Sequence, residues 1–163
     1  MVPFSNDEAA TMRTILVAED RDASRELICT VLSSAGYLVI EARDGQEAVA
    51  RAIENTADLV LLDLYMPYLD GFGVLARLRS RAEYARVPVI ALTASAMAGD
   101  RERAIASGFS EYISKPVNMA YLRREIERLL ASEGAVGSNN SARAGSTAGS
   151  KGTAGSKKTE SPL

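Results

Sequence analysis

The 163-residue sequence contains no histidine and no tryptophan, and it has a single cysteine, Cys29. Without histidine, the chain cannot form Ser-His or Cys-His catalytic groups, a histidine metal site or a phosphohistidine of its own. One cysteine excludes an internal disulfide and a metal site built from several cysteines. Because Cys29 stands within a helical pattern, we expect it to be a small residue of a helix or of the core.

The sequence also lacks long apolar runs and concentrated positive charge. The apolar stretches at 59–62 and 87–92 are far shorter than the roughly 18 residues of a membrane span. The net charge is −2, and no block of basic residues lies in the globular part, so nucleic acid is not an expected partner. The first dozen residues include Asp7 and Glu8 and do not resemble a secretory signal. We therefore expect a cytoplasmic protein without a membrane partner.

The composition indicates one domain with a segment on either side. Hydrophobic residues make up 47% and charged residues 25%, a balance typical of soluble globular proteins. Residues 133–163 are rich in Gly, Ser and Ala and repeat "TAGSK", which predicts a flexible tail. We expect residues 1–12 to form a short N-terminal extension and residues 13–132 to form the domain.

Short apolar runs alternate with amphipathic stretches throughout this domain. The runs predict five strands, at 14–18, 37–42, 58–63, 87–92 and 111–114. The stretches after them predict five helices, with the apolar face of the first at Leu27, Ile28, Val31, Leu32 and Ala35 and that of the second at Ala48, Val49, Ala52 and Ile53. Asp70 and Asn118 are predicted N-caps, and Gly36 and Gly108 are predicted helix ends.

The order of these elements predicts an α/β fold. Strands that are apolar throughout indicate a parallel sheet covered on both faces. Right-handed crossovers favour a flavodoxin-like, doubly wound sheet with strand order 2-1-3-4-5 and five helices. Sites in such sheets form at the carboxyl ends of the strands, beside the point where the strand order reverses. Here that point lies between strands one and three.

Polar residues stand at the carboxyl ends of four of these strands: Glu19 and Asp20, Asp63, Thr93 and Lys115. Scattered caps and surface charges are the alternative interpretation, but strand direction places all five residues at one edge. Three carboxylates repel one another unless a cation neutralises them, and a hard divalent ion such as Mg²⁺ suits an all-oxygen site. A lysine and a threonine hydroxyl can contact phosphoryl oxygens.

Asp63 is the candidate reactive group at this edge. The sequence has no Gly-rich phosphate loop and no Walker Lys-Ser/Thr pair, so nucleotide binding by that route is not supported and Mg²⁺ is the one cofactor expected. A carboxylate can itself attack phosphorus and form an aspartyl phosphate. Because Asp63 lies centrally, between the acid pair and the strands that carry Thr93 and Lys115, it is the predicted nucleophile.

Four segments, "ILVAED", "LVLLDLYMPYLDGFGVL", "VPVIALTA" and "GFSEYISKP", resemble in order and spacing the receiver domain of two-component response regulators. The resemblance covers about residues 13–131 and is of the stand-alone, single-domain type. Glu19 departs from it mildly, since aspartate is common there, and Tyr65 is bulky for its position.

The resemblance implies a role for each site residue. Asp63 matches the phosphoacceptor. Glu19 and Asp20 match the acid pair of the Mg²⁺ site, with Asp20 the direct ligand and Glu19 acting through water, and Asp63 and the backbone carbonyl of Tyr65 complete that site. Thr93 and Lys115 match the residues that contact the phosphoryl group. Tyr112 matches an aromatic switch, which rotates into space that Thr93 vacates as it moves toward the phosphoryl group.

The resemblance also implies how the chain signals. The phosphoryl donor would be a phosphohistidine of a sensor histidine kinase or of a histidine phosphotransfer protein. The output would pass by protein–protein contact through the face formed by helix 4, strand 5 and helix 5, and a homodimer that forms on phosphorylation is left open. The chain would be a signalling phosphoprotein, catalysing only its own phosphorylation and slow dephosphorylation.

Several alternatives compete with this interpretation. A phosphatase of the haloacid dehalogenase type needs a second acid two residues after its nucleophile, where this chain has Tyr65. A flavodoxin-like cofactor binder needs a phosphate loop after strand one, where this chain has "EDRDAS". A receiver module detached from or acting with a hybrid histidine kinase, and a receiver-like adaptor that is not phosphorylated, also remain open.

Overall fold

The computed structural model describes residues 12–95 and 97–137. Strands and helices alternate along the chain, with one short 3₁₀ helix at Ala82–Tyr84. The strands are β1 (Thr14–Ala18), β2 (Leu38–Ala42), β3 (Leu59–Asp63), β4 (Val89–Thr93) and β5 (Glu111–Ser114). The helices are α1 (Asp22–Ser34), α2 (Gly45–Glu54), α3 (Gly71–Arg79), α4 (Asp100–Ser107) and α5 (Met119–Gly137).

The strands form one parallel sheet in the order β2-β1-β3-β4-β5, which confirms the predicted flavodoxin-like α/β topology. The register aligns the carboxyl ends of neighbouring strands. Ala18 pairs with Leu62, Asp63 pairs with Leu92, and Thr93 pairs with Ser114. Residues that end or follow different strands are therefore brought to a common edge.

Two apolar layers cover the two faces of the sheet, and as a result every residue of the central strands β3 and β4 is buried. Side chains of α2, α3 and α4 pack on one face, including Ala48, Ala52, Val74, Leu75, Leu78 and Ala104. Side chains of α1 and α5 pack on the other face, including Ile28, Cys29, Leu32, Leu122, Ile126 and Leu130. Each fully buried Val, Leu or Ile side chain among them contributes about 1.5 to 3 kcal/mol.

The predicted caps agree with the hydrogen bonds. The Asp70 carboxylate accepts from the Gly73 N–H at 2.8 Å, and the Asn118 side chain accepts from the Tyr121 N–H at 3.0 Å. Gly36 and Gly108 follow the ends of α1 and α4 with φ of 94° and 109°, a conformation that glycine adopts without a side-chain clash.

Some predicted positions differ from the structure. Leu27 and Ile53, assigned to buried helix faces, are 55% and 54% exposed, because the sheet covers a narrower stripe of each helix than the periodicity allowed. β2 is only partly buried, since it is an edge strand with one neighbour. β4 begins after Pro88, which has no N–H to donate, and the 3₁₀ helix was not predicted.

Helix α5 continues to Gly137, so residues 133–137 are helical although the sequence assigned them to a flexible tail. The predicted extension up to residue 11 and the tail from residue 138 lie outside the described residues. Among the helices that the structure describes, none is both long enough and apolar enough to cross a membrane.

Candidate functional site

The polar residues predicted at the strand ends lie together at the carboxyl edge of the sheet. Glu19 and Asp20 follow β1, Asp63 is the last residue of β3, and Lys115 follows β5. Carboxylate oxygens from Glu19, Asp20 and Asp63 lie within 4.8 Å of one another. Three carboxylates at this separation produce a strong negative potential, which a cation would offset.

Lys115 supplies one positive charge to this cluster. Its Nζ donates a hydrogen bond to Asp63 Oδ2 at 2.9 Å and a second one to Glu19 Oε2. The backbone N–H of Lys115 donates to the Thr93 carbonyl at 2.7 Å, which ties the end of β5 to β4. The Lys115–Pro116 peptide bond is cis. The lysine therefore bridges two acids that come from two different strands.

Glu19 is wholly buried, and both of its carboxylate oxygens have partners. Oε2 accepts from Lys115, and Oε1 accepts from the Arg21 N–H at 3.1 Å. Burial raises the pKa of Glu19, although the hydrogen bonds from Lys115 and Arg21 oppose that rise. Burial lowers the pKa of Lys115, but its hydrogen bonds to Glu19 and Asp63 outweigh burial and the pKa is raised. Lys115 therefore carries its charge at neutral pH.

Asp63 is 5% exposed and is fixed by the loop that follows it. Its Oδ1 accepts from the Tyr65 N–H at 3.0 Å. The start of α3 packs on the same backbone, and a Cβ at Gly71 would lie 2.6 Å from the Asp63 carbonyl oxygen. The Gly71 N–H donates to the Leu64 carbonyl at 2.9 Å. Only glycine fits this contact, so Gly71 allows α3 to begin directly against the backbone of Asp63.

Asp20 differs from the other two acids. It is exposed, and no hydrogen bond from residues 12–95 or 97–137 holds its carboxylate. Its oxygens are therefore available to an incoming cation, whereas those of Glu19 are already engaged. Asp20 as the direct metal ligand, with Glu19 acting through water, stays a prediction.

Thr93 and Tyr112 meet at the carbonyl of Ser95. The hydroxyl of buried Thr93 donates to that carbonyl at 3.0 Å and accepts from the Ser95 N–H at 3.1 Å. The Tyr112 hydroxyl donates to the same carbonyl at 3.0 Å. The Tyr112 ring is packed inward here, with 8% exposed, while Thr93 is still bonded to Ser95; its rotation as Thr93 moves stays a prediction. The sequence could not place the Ser95 carbonyl that holds it.

The loop after β3 exposes two aromatic side chains. Tyr65 is 50% exposed, and its backbone is oriented by the Asp63 carboxylate. Tyr68 is 86% exposed and has a φ of 69°, a left-handed conformation that costs a non-glycine residue about 1 kcal/mol or more. No local pattern around Tyr68 predicts this conformation.

The sequence analysis also missed Arg25, whose guanidinium is buried behind the acid pair. Arg25 Nη1 donates to the Glu19 carbonyl at 3.0 Å. A signal was available, because Arg25 precedes Ile28, Cys29 and Leu32 at helical spacing and therefore lies on the buried face of α1.

Comparisons with known proteins agree with this fold and this arrangement. The family model described as the response regulator receiver domain matches residues 15–127. The polar-differentiation response regulator DivK of Brucella anthropi is 36% identical over 107 residues, covering 66% of this chain and 87% of DivK. The gliding motility regulatory protein of Myxococcus xanthus is 35% identical over 128 residues, which are 78% of this chain but 16% of that protein.

Solved structures give the same result. The receiver domain of a sensor histidine kinase from Pseudomonas aeruginosa, described with a magnesium ion coordinated in its active-site cleft, matches with a TM-score of 0.69 and 37% identity. That match covers 74% of this chain and 98% of the kinase receiver domain. The chemotaxis protein CheY4 of Vibrio cholerae matches with a TM-score of 0.69 and 29% identity over 72% of this chain and 98% of CheY4. The chain described here belongs to the response regulator receiver domain family.

Proposed function

We propose that this chain accepts a phosphoryl group on the Asp63 carboxylate in a Mg²⁺-dependent reaction. The donor is a phosphohistidine of a sensor histidine kinase or of a histidine phosphotransfer protein. One observation carries the proposal: three carboxylates converge within 4.8 Å at the carboxyl ends of β1 and β3, and Lys115 lies 2.9 Å from Asp63. Membership in the receiver family supports the same assignment.

The residues at this edge fit a magnesium ion. Mg²⁺ prefers oxygen ligands at about 2.1 Å, so two oxygens on opposite sides of the ion are about 4.2 Å apart. A cluster whose oxygens lie within 4.8 Å suits direct binding by Asp20 and Asp63, with Glu19 reached through water. The backbone carbonyl of Tyr65 would be a further ligand. When bound, the ion neutralises the negative charge of the acids and of the incoming phosphoryl group.

In the transfer step, an Asp63 oxygen forms a bond to phosphorus while the phosphorus–nitrogen bond of the phosphohistidine breaks. The imidazole nitrogen leaves with the bonding electrons. Lys115 is placed to hold a phosphoryl oxygen, because it already contacts Asp63. The Thr93 hydroxyl can turn from the Ser95 carbonyl to a second phosphoryl oxygen. Charge-assisted contacts of this kind are the main catalytic term in phosphoryl transfer.

The signal leaves through the face formed by α4, β5 and α5, by contact with another protein or with a second copy of the chain. The Ser95 carbonyl supports this route, since it accepts from both Thr93 and Tyr112. When Thr93 turns away, the segment between β4 and α4 readjusts around Tyr112. Shifting a population from about 1% to about 99% needs about 5.5 kcal/mol, which a few charge-assisted hydrogen bonds of roughly 1.5 to 3 kcal/mol can supply.

A second candidate function is a receiver that works with a hybrid histidine kinase. It is favoured by the 37% identity to the kinase receiver domain of Pseudomonas aeruginosa. Both functions use the same phosphoacceptor chemistry. They differ in whether phosphohistidine transfer to Asp63 is followed by output from this domain or by onward transfer to another histidine.

The reaction is tested by incubating the chain with Mg²⁺ and acetyl phosphate and measuring its intact mass. We expect wild type to gain one phosphoryl group, Asp63→Asn to gain none, and EDTA to prevent the gain in wild type. Asp58→Asn is the matched control, because Asp58 lies before β3 and pairs with Arg13 at 3.4 Å. Modification that persists in Asp63→Asn, or the lack of modification in wild type, would contradict the proposal.

The choice of donor needs a second measurement. Phosphorylated histidine phosphotransfer proteins are mixed with wild type or Asp63→Asn, and loss of their label is followed with time. We expect transfer to wild type alone. Onward return of the label to a second phosphotransfer protein would favour the hybrid-kinase function over the stand-alone one.

A further inference from the structure

Arg25 is the one basic side chain among the buried polar residues of the described part of the chain. Its three donor groups contact three different segments. Nη1 donates to the Glu19 carbonyl at 3.0 Å, Nη2 donates to Asp22 Oδ1 at 2.5 Å, and Nε donates to Glu41 Oε2 at 3.3 Å. Arg25 thus joins the loop after β1, the first turn of α1 and the edge strand β2.

The contact with Glu19 is the one that bears on the site. The Glu19 carbonyl belongs to the peptide group that connects Glu19 to Asp20. The Glu19 N–H, in the peptide group just before it, donates to the Ala42 carbonyl at 3.1 Å. The backbone that leads into Asp20 is therefore held from both sides, by β2 and by the Arg25 guanidinium. A guanidinium suits this position, because its rigid fork can meet several acceptors at once.

Asp20 depends on this backbone for its position. Its own carboxylate accepts no hydrogen bond from the described residues, whereas Glu19 and Asp63 are held by Lys115 and by backbone N–H groups. A carboxylate without side-chain support points into the cluster only if its backbone is fixed. Residues that orient metal ligands from behind commonly change metal affinity 10- to 100-fold when they are removed.

We propose that Arg25 is a positioning residue for the metal site, which fixes the Glu19–Asp20 peptide group so that the Asp20 carboxylate faces Asp63. The inference rests on the proposed function, since it takes the acid cluster as the Mg²⁺ site. The guanidinium itself does not touch the ion or the phosphoryl group, because its donors are taken by Glu19, Asp22 and Glu41.

Positioning and electrostatics predict opposite signs for the loss of Arg25. Removing a positive charge near a cation site would by itself strengthen cation binding. Losing the contact with the Glu19 carbonyl would weaken cation binding, because Asp20 is no longer held. The direction of the change in Mg²⁺ affinity therefore separates the two roles.

The test compares Arg25→Gln with Arg21→Gln in the full chain. Arg21 is exposed and adjacent, and its side chain makes no cap hydrogen bond to α1, so Arg21→Gln removes the same charge without the positioning contact. Mg²⁺ is titrated by calorimetry, and amide exchange of residues 19–22 is measured without Mg²⁺. We expect Arg25→Gln to weaken Mg²⁺ binding about tenfold and to speed exchange of these amides. Arg21→Gln should stay within about twofold of wild type.

A merely structural role would lower the unfolding temperature and leave the Mg²⁺ affinity of the folded variant unchanged. That result, or tighter binding by Arg25→Gln, would overturn the proposal. The variant is expected to fold, because Arg25 borders an open groove of about 480 Å³ between α1 and β2, where water can replace the guanidinium. If it does not fold, Arg25→Lys decides, since a lysine keeps the charge but cannot meet three acceptors and should bind Mg²⁺ several-fold more weakly.

Failure of this inference and failure of the proposed function give different results. If wild type neither binds Mg²⁺ nor is phosphorylated by acetyl phosphate, the proposed function is wrong. If wild type does both and Arg25→Gln binds Mg²⁺ as wild type does, only the role of Arg25 is wrong.

Discussion

The two ends of the parallel sheet bury polar groups in different ways. At the amino-terminal end, the hydroxyl of fully buried Tyr84 accepts from the Ala57 N–H at 3.0 Å and lies 3.0 and 2.9 Å from the carbonyls of Ala52 and Asn55. At the carboxyl-terminal end, three carboxylates lie close together, and two of them, those of Glu19 and Asp63, share the single ammonium group of Lys115. The first cluster is satisfied by protein atoms alone, whereas the second keeps an excess of negative charge.

Arg79 reinforces the amino-terminal end in the same manner as Tyr84. Its guanidinium donates to the carbonyls of Tyr84 at 2.6 Å, Val87 at 2.7 Å and Gly108 at 3.1 Å, and so joins the segments that precede β4 and β5. Neutral backbone acceptors need no outside ion. Buried polar groups therefore stabilise this fold at one end of the sheet, whereas at the other end they leave an excess of negative charge that a cation would offset.

Lys115→Met should produce the largest effect, because it removes the only positive charge described within the acid cluster. We expect phosphorylation by acetyl phosphate to slow by about 10² to 10³, as is typical when a donor to the transferring group is lost. Without Mg²⁺ the variant should also have a free energy of unfolding that is lower by about 3 kcal/mol, since the buried charges of Glu19 and Asp63 lose their ion-pair partner. Added Mg²⁺ should restore more stability to the variant than to wild type.

Intact mass against time and urea unfolding with and without Mg²⁺ measure both effects. Arg13→Met is the control, because Arg13 forms an exposed pair with Asp58 at 3.4 Å, and exposed pairs contribute about 0 to 1 kcal/mol. A Lys115→Met variant that is phosphorylated at the wild-type rate would show that Lys115 does not assist phosphoryl transfer to Asp63.

Tyr84→Phe tests the opposite end of the sheet. The substitution leaves the Ala57 N–H without its partner inside the core, so we expect a loss of about 1 to 3 kcal/mol in the free energy of unfolding. The phosphorylation rate should stay within about twofold of wild type, because Tyr84 lies at the other end of the strands from Asp63. Urea unfolding measures the stability, and acetyl phosphate kinetics measure the phosphorylation rate. A large loss of rate without a loss of stability would contradict a purely structural role for Tyr84.

Tyr112→Phe should have a smaller effect than Tyr84→Phe. It removes one hydrogen bond to the Ser95 carbonyl, worth about 0.5 to 1.5 kcal/mol, while the Thr93 hydroxyl still donates to that carbonyl. We expect faster amide exchange within α4 and an unchanged phosphorylation rate, measured by hydrogen exchange and intact mass. Unchanged exchange in α4 would show that Tyr112 does not hold the segment between β4 and α4.

Cys29 offers the mildest probe, on the helix α1 that supports the acid pair. Burial raises the pKa of its thiol to about 11, so about 0.1% is thiolate at pH 8. We expect its reaction with a disulfide reagent to be far slower in the folded chain than in urea and to rise about tenfold per pH unit from 8 to 10. A fast reaction at pH 8 would show that α1 opens readily in the folded chain.

Particular residues show which parts of the fold and of the site could be predicted from the sequence. Apolar runs such as Leu59–Leu62 and the caps Asp70 and Asn118 were predicted correctly, because local patterns determine strands and helix ends. Leu27 and Ile53 were misjudged, since the width of a buried stripe depends on neighbouring elements. Arg25 was missed because a charged residue on a helix is normally assumed to be exposed.

The sequence by itself determined the parallel sheet, its strand order and the placement of acids and lysine at one edge, because these follow from periodicity and strand direction. Only the tertiary structure decided which partners those groups take. It paired Lys115 with Glu19 as well as Asp63, left the Asp20 carboxylate open, and put Thr93 and Tyr112 on one Ser95 carbonyl. Such pairings join residues distant in the chain, and their distances depend on how helices and loops pack rather than on any local pattern.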